Sequence, residues 1–436
     1  MPAPADLTYV RREMLQPESP PASQVGVVGW MREKLFSSWP NAILTVLCIY
    51  FLWTLAGHVL PWFLHSVWNA GSLSECRQII KETWGEGVSG ACFAVIRERW
   101  KQFLFGFYPS NLYWRPTLAF VLLLAALAPI LYAQLPRRLL WLSMAFPGLC
   151  FWLLWGGSLW VPILIYAGFV VGWFAHRALA GTPVSFLSPF AGILATVLWW
   201  LYVVGPLAGA FASILPLALT PVTSKLFGGF MLSLTIGVTG IAFSLPLGVL
   251  LALGRRSDML IVKSLCIGFI EFIRGVPLIT LLLVATFLLN VFLPPGTNFD
   301  IILRVIIMVT LFAAAYMAET IRGGLAALPR GQYEAADALG LDYWKAMRLI
   351  IMPQALKISI PSIVGNFISL FKDTTLVAII GLLDPIGLVT SIRADSNWNG
   401  IVWELYGFVA LLFFVCCYGM SQYSRYLERK LRTDHR

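Results

Sequence analysis

Charge is scarce in this sequence. Of 436 residues only 12% are Asp, Glu, Lys or Arg, about half the share of an ordinary soluble chain. With 59% hydrophobic residues beside it, that scarcity excludes a soluble globular domain. Histidine is rarer still, and His58, His65, His176 and His435 are too scattered to share a metal ion. A Gly-x4-Gly-Lys-Ser/Thr phosphate loop is missing, which excludes a nucleotide triphosphatase of that class. Also missing are His, Asp or Cys nucleophiles clustered at one membrane face, as a membrane acyl or glycosyl transferase would need. No cleavable signal is evident, because the first 35 residues are polar, proline-rich and end in Arg32 and Lys34; the N-terminus is expected in the cytoplasm.

What the chain has in quantity is long apolar runs. They fall near residues 42–63, 117–135, 139–156, 159–175, 188–214, 228–253, 276–294, 302–321, 358–381 and 401–420. Spanning the hydrocarbon core takes about 20 mostly apolar residues, and in lipid each backbone group must be satisfied internally, so these runs predict about ten transmembrane helices. The fold class is an all-α polytopic membrane protein. A net charge of +10 does not indicate nucleic acid, since Lys and Arg sit in short clusters between the apolar runs.

Those clusters orient the second half. One side carries Arg255, Arg256, Lys263, Arg274, Arg322, Arg330, Lys345, Arg348, Lys357 and the tail Arg425, Arg429, Lys430, Arg432 and Arg436; the other carries Lys225, Arg304 and Arg393. The tail is therefore expected in the cytoplasm after five crossings. In the first half the count is a tie, with Arg11, Arg12, Arg32, Lys34, Arg137, Arg138 and Arg177 facing Arg77, Lys81, Arg97, Arg99, Lys101, Arg115 and Lys225. Connectivity alone makes the loop 64–115 periplasmic. Cys76 and Cys92 share that loop and can pair there, whereas Cys48, Cys150, Cys266, Cys416 and Cys417 are packing residues in or beside apolar runs.

The longest polar interruption of the second half, residues 321–357, predicts two short helices. Gly331 and Glu334 suit a helix start, Gly340 a left-handed stop, and Asp342 the cap of the next helix. The small face of Ala335, Ala336 and Ala338, with Glu334 and Asp337 beside it, suits docking of another surface.

Here EAADALG at 334–340, followed by IIMP at 350–353, is similar to the EAA loop of ABC importer permeases. FIRGVPL at 272–278, AAYMAETIRGGLAALPRGQ at 314–332 and FKDTTL at 371–376 resemble, in the same order, further elements of the polar amino acid (histidine/glutamine-type) permeases. Val276 stands where that family usually has Thr, and Met352 where Leu is commoner. The resemblance covers residues 225–436. It implies a type I ABC importer transmembrane domain in a bacterial inner membrane, with Glu334, Ala335, Ala336, Asp337 and Gly340 docking on a cytoplasmic ATPase dimer. The long first half, with CFAVIRERWKQFLFGFYP at 92–109, resembles the large permease subunits of general L-amino acid importers. The domains expected are a cytoplasmic tail 1–40, a membrane extension 41–215 and a permease core 216–436. The partners implied are the ATPase, which would hold ATP and Mg2+, a second and related permease chain, a periplasmic amino-acid-binding protein and membrane lipid. No cofactor, catalytic residue, metal or nucleic acid is expected in this chain itself.

Ionisable groups at membrane depth are functional candidates. Glu319, Lys372 and Asp373, with Asn366, are candidates for the substrate pathway or a gate. Glu271 and Arg274, three residues apart, are expected to pair on their own helix, and Glu319 stands in the same relation to Arg322. A channel or ATPase-independent carrier, or an ABC permease for another small polar solute, is the competing reading. Elbow-dependent coupling to an ATPase separates the first two from the importer.

Overall fold

The computed structural model describes residues 26–132, 134–288 and 299–431. Arg11, Arg12, Arg432, His435, Arg436 and the outer end of the expected 276–294 run lie outside them. The chain divides into two compact units, one running to Ala70 and including Ser74–Phe93, the other made of Gly71–Leu73 and Ala94 onward.

In the first unit, α1 (Gly26–Lys34) precedes α2 (Trp39–Leu64). The Ser38 side chain caps α2 by accepting from the Asn41 N–H, and Pro40 occupies the first turn, where its missing N–H costs nothing. No residue of α2 is buried, as suits a helix that meets lipid on its flanks. Behind it α3 (Leu73–Trp84) is tied by a Cys76–Cys92 disulfide, with Cα atoms 5.9 Å apart. The pairing that the sequence left open is made.

The second unit begins with α4 (Ala94–Phe105), then α5 (Trp114–Leu131), α6 (Leu140–Trp155), α7 (Trp160–Ala180) and α8 (Ser188–Ile214). A two-residue ribbon, β1 (Gly157–Ser158) with β2 (Ala218–Leu219), closes the far end of this group. Next come α9 (Gly229–Arg255), α10 (Leu260–Gly275), α11 (Leu278–Leu288), α12 (Ile301–Ala326), α13 (Arg330–Ala338), α14 (Tyr343–Ile380), α15 (Pro385–Arg393) and α16 (Trp403–Leu431). Among the described residues nine helices are long and apolar enough to cross a membrane, or ten if the bent pair α10–α11 is one span.

That pair departs from the expected run at 276–294. The apolar run belongs to two helices bent by 102° at Val276–Pro277, the first of which starts at Leu260. Pro277 has no N–H to give and forces Val276 into an extended conformation (φ −109°, ψ 132°), so the helix stops there. Lys263, Glu271 and Arg274 diluted the apolar signal of α10, which is amphipathic.

Lipid supplies no hydrophobic drive between helices, so close backbone approach and dispersion must hold them. The most extensive pair is α9 with α12. There a Cβ on Gly248 would sit 2.6 Å from the Met317 Cβ. Where α12 meets α14, a Cβ on Gly324 would lie 2.5 Å from the Ala355 carbonyl oxygen. Within the second unit, packing is continuous across residue 216: Tyr108, Leu153 and Leu154 share one buried cluster with Phe227, Met231, Leu232, Val305 and Val309. Trp155 lies 4.5 Å from the Phe227 ring and donates to the Ser224 hydroxyl at 2.8 Å; Ser224 in turn donates to Asp300, whose carboxylate caps α12.

Candidate functional site

The elbow is shorter than residues 321–357. Residues 321–326 complete α12 because Ile321, Gly324 and Leu325 are buried on its core side, and α14 begins at Tyr343 with Met347, Ile351 and Ala355 buried. The second expected short helix is thus the first turn of a long one. Only α13 and its two flanking turns stand between.

Helix α13 starts after Pro329, so Glu334 lies a turn inside it and no acidic residue occupies its first turn. Its end follows the expected chemistry. Gly340 takes φ +68°, its N–H donates to the Asp337 carbonyl at 2.9 Å, and the Leu341 N–H donates to the Ala336 carbonyl at 3.2 Å, the two bonds of a Schellman stop. Asp342 then caps α14, accepting from the Lys345 N–H at 2.8 Å, which holds its carboxyl below the usual carboxylate range. Gly340 and Asp342 therefore set the angle between two helices with local backbone chemistry alone.

Glu334, Ala335, Asp337 and Ala338 are exposed along α13, whereas Ala336 is fully buried. Of the two adjacent alanines, one meets solvent and the other seats the elbow. Beside them stand Leu339, Tyr343 and Trp344, exposed by 72%, 50% and 68%. Sequence reasoning passed over these three; a Trp and a Leu in a polar segment was the available signal. The elbow is held from behind by Arg256, which donates to the Tyr333 hydroxyl at 3.0 Å, and by Gln354, which donates to Gln332 at 2.9 Å.

Two turns before the end of α12, three helices meet around Glu319. Arg255 of α9 donates to Glu319 at 3.2 Å and to Glu271 of α10 at 3.0 Å; Arg274 of α10 reaches Glu319 at 3.7 Å; Arg322 donates to it through Nε at 2.7 Å. The Arg322 pairing is as expected. The Glu271–Arg274 pair is not formed: Glu271 takes Arg255 and Arg274 turns to Glu319, because neighbouring helices bring closer partners than the i, i+3 spacing does. One carboxylate thus ties three helices at the elbow end.

The other candidates lie along α14. The Asn366 amide donates to the Thr320 hydroxyl at 2.8 Å, and Ser359 to the Thr320 carbonyl at 3.3 Å, so both clamp α14 to α12. Lys372 is exposed and Asp373 half-buried at the opposite end of α14 from the elbow. Glu319 and the Lys372–Asp373 pair are therefore not one cluster. Among the described residues no group of three His, Cys, Asp or Glu could hold a metal ion.

A helical bundle with a sharply bent helix pair, a helical elbow between two long helices and a charged collar above it is the transmembrane subunit of a type I importer, and the chain belongs to the amino-acid ABC transporter permeases. Residues 244–433 match the family model described as binding-protein-dependent transport system inner membrane component. The glutamate/glutamine/aspartate/asparagine transport system permease protein BztC of Rhodobacter capsulatus is 60% identical over 436 residues, covering 99% of this chain and 100% of the relative. The inner membrane amino-acid ABC transporter permease protein YhdY of Escherichia coli is 39% identical over 405 residues, 93% of each chain. A crystal structure of an amino acid ABC transporter with histidines is 30% identical, covers 46% of this chain and 91% of its own, and superposes with a TM-score of 0.42.

Proposed function

We propose that this permease subunit carries acidic amino acids and their amides from the periplasm to the cytoplasm. The observation that supports it is the full-length 60% identity to a permease named for glutamate, glutamine, aspartate and asparagine. This is narrower than the broad L-amino-acid range that the sequence motifs imply. ATP and Mg2+ are held by a partner ATPase dimer, a periplasmic binding protein delivers the solute, and a related second permease chain completes the pathway.

The ATPase docks on Glu334, Ala335, Asp337 and the Gly340 turn, with Leu339, Tyr343 and Trp344 supplying apolar anchors; Ala336 supports them from within. An exposed Trp beside a Tyr is the composition of an interface centre. The Glu319 collar serves as the cytoplasmic gate, and Lys372 with Asp373 line the path nearer the periplasm, where Lys372 complements a substrate carboxylate. Asn366 acts beside the collar, through its clamp on Thr320 next to Glu319. Both termini lie in the cytoplasm of a bacterial cell, with extension 41–215 ahead of core 216–436. The disulfide supports a periplasmic loop 64–115, since such bonds persist in oxidising compartments.

Reconstitution with ATPase, companion permease and binding protein tests this. Glutamate or glutamine is expected to stimulate ATP hydrolysis and enter proteoliposomes, and Glu334→Lys or Gly340→Pro to abolish the stimulation in an assembled complex. Unchanged stimulation in both variants refutes the docking assignment; stimulation by other solutes only refutes the substrate.

A further inference from the structure

A cavity of about 320 Å³ opens among α4, α5, α6, α9 and α16, where the extension meets the core. Its wall is almost wholly apolar, formed by residues such as Phe120, Leu123, Phe146, Leu154, Leu234 and Val238. Two of its few hydroxyls are already engaged: Thr117 donates to the Tyr113 carbonyl and Thr235 to the Met231 carbonyl, each at 2.8 Å. A polar solute or ordered water finds little to bind there.

The depth of the cavity identifies what fits it. It runs from Phe230 to Thr239 on α9, reaches Leu412 nine residues into α16 and Phe146 nine residues before the end of α6. At 1.5 Å per helical residue that is about 14 Å, close to half of the ~30 Å hydrocarbon core, or one leaflet. All four positions count from the end remote from the elbow. One turn before the lining residues of α4 and α5, Trp100 and Trp114 are exposed, and Lys101, exposed beside Trp100, precedes Leu104 and Phe105 by one turn of α4. Amphipathic rings and a cation at that level match a phosphate headgroup.

We infer that this crevice holds one acyl chain of a periplasmic-leaflet phospholipid, wedged between extension and core. The leaflet assignment rests on the proposed orientation. The occupant is a lipid chain because lipid is the apolar solute present at this depth and the cavity length equals one leaflet. Burying methylenes there, at about 0.8 kcal/mol each against water, would favour a bound chain over a wet void.

The test uses the assembled transporter in nanodiscs containing phosphatidylethanolamine with a diazirine halfway along one acyl chain. After photolysis, adducts are expected to concentrate on the peptides of α5, α6 and the first ten residues of α9, well above those around the exposed Leu250. Leu234→Trp or, separately, Val238→Phe fills the crevice and is expected to remove this concentration of adducts, while Leu250→Trp leaves it unchanged. Uniform labelling overturns the proposal, as does undiminished labelling in either folded variant. So does labelling by a diazirine fatty acid but not by the phospholipid, or capture of the companion permease by a cross-linker on Cys150. Amino-acid uptake is measured on the same particles. Lost uptake with an intact adduct pattern would count against the transport reading alone.

Discussion

Glu319 serves three arginines at 23% exposure. Replacing it by Gln leaves Arg274 and Arg322 without their carboxylate, although Arg255 keeps Glu271. The cost should lie between the exposed and the buried limits, about 1–2 kcal/mol. A fall in the melting temperature of the assembled complex checks it; a Glu319→Gln protein as stable as the native one would mean that the collar is solvated. Asp384 offers a pH test. It is fully buried at the cap of α15, and burial pushes its carboxyl up to about 6, against the pull of the Gly387 and Ile386 N–H groups. The folded chain then holds this proton more tightly than the unfolded chain, so the stabilisation is complete below about pH 4 and is lost as pH rises through about 6. Asp384→Asn keeps a capping side chain and should flatten that fall, measured as melting temperature against pH. An unaltered slope would assign the pH dependence elsewhere.

At the scale of the element, the elbow turn was legible because its chemistry is local. Gly340 adopts φ +68° with open space around the position of a Cβ, so Gly340→Val meets only backbone strain, about 1–2 kcal/mol. It should misdirect α13 and weaken recovery of the ATPase with the purified permease while other helices stay intact. The partners of the elbow were less legible: that Ala336 faces inward and Trp344 outward depends on how α13 seats against the bundle. The broken span was half legible. Pro277 announces a stop, but the apolar run of α10 is interrupted by charges whose partners lie on other helices. In the first unit, the disulfide closes a separation of 16 residues, for which chain entropy suggests about 3 kcal/mol. Cys76→Ser with Cys92→Ser should therefore speed amide exchange in residues 66–93 by about a hundredfold, on the scale of local unfolding. Unchanged exchange would show that Val67–Ala91 pairing and packing hold the loop alone.

For the whole molecule, the consequence lies in the shared core. Tyr108 and Trp155 pack on Phe227, and the Trp155–Ser224–Asp300 chain reaches the cap of α12. A chain cut to residues 216–436 should insert but lose stability on the face of α9 that carries Met231 and Leu232, melting well below the full-length protein. Equal stability would make the extension an appendage. The helical class, most of the apolar spans and the turn of the elbow were determined by the sequence itself, because hydropathy over about 20 residues and backbone demands at Gly340, Asp342 and Pro277 act within a few turns; the family was legible in the spaced EAADALG and IIMP motifs. Which cation meets Glu319, whether Cys76 finds Cys92, and where a lipid-length crevice remains between extension and core were decided by the tertiary structure. Those outcomes depend on which helices lie side by side, and in an apolar solvent that choice rests on small-residue contacts such as Gly248 on Met317 and Gly324 on Ala355, which carry no periodic signal.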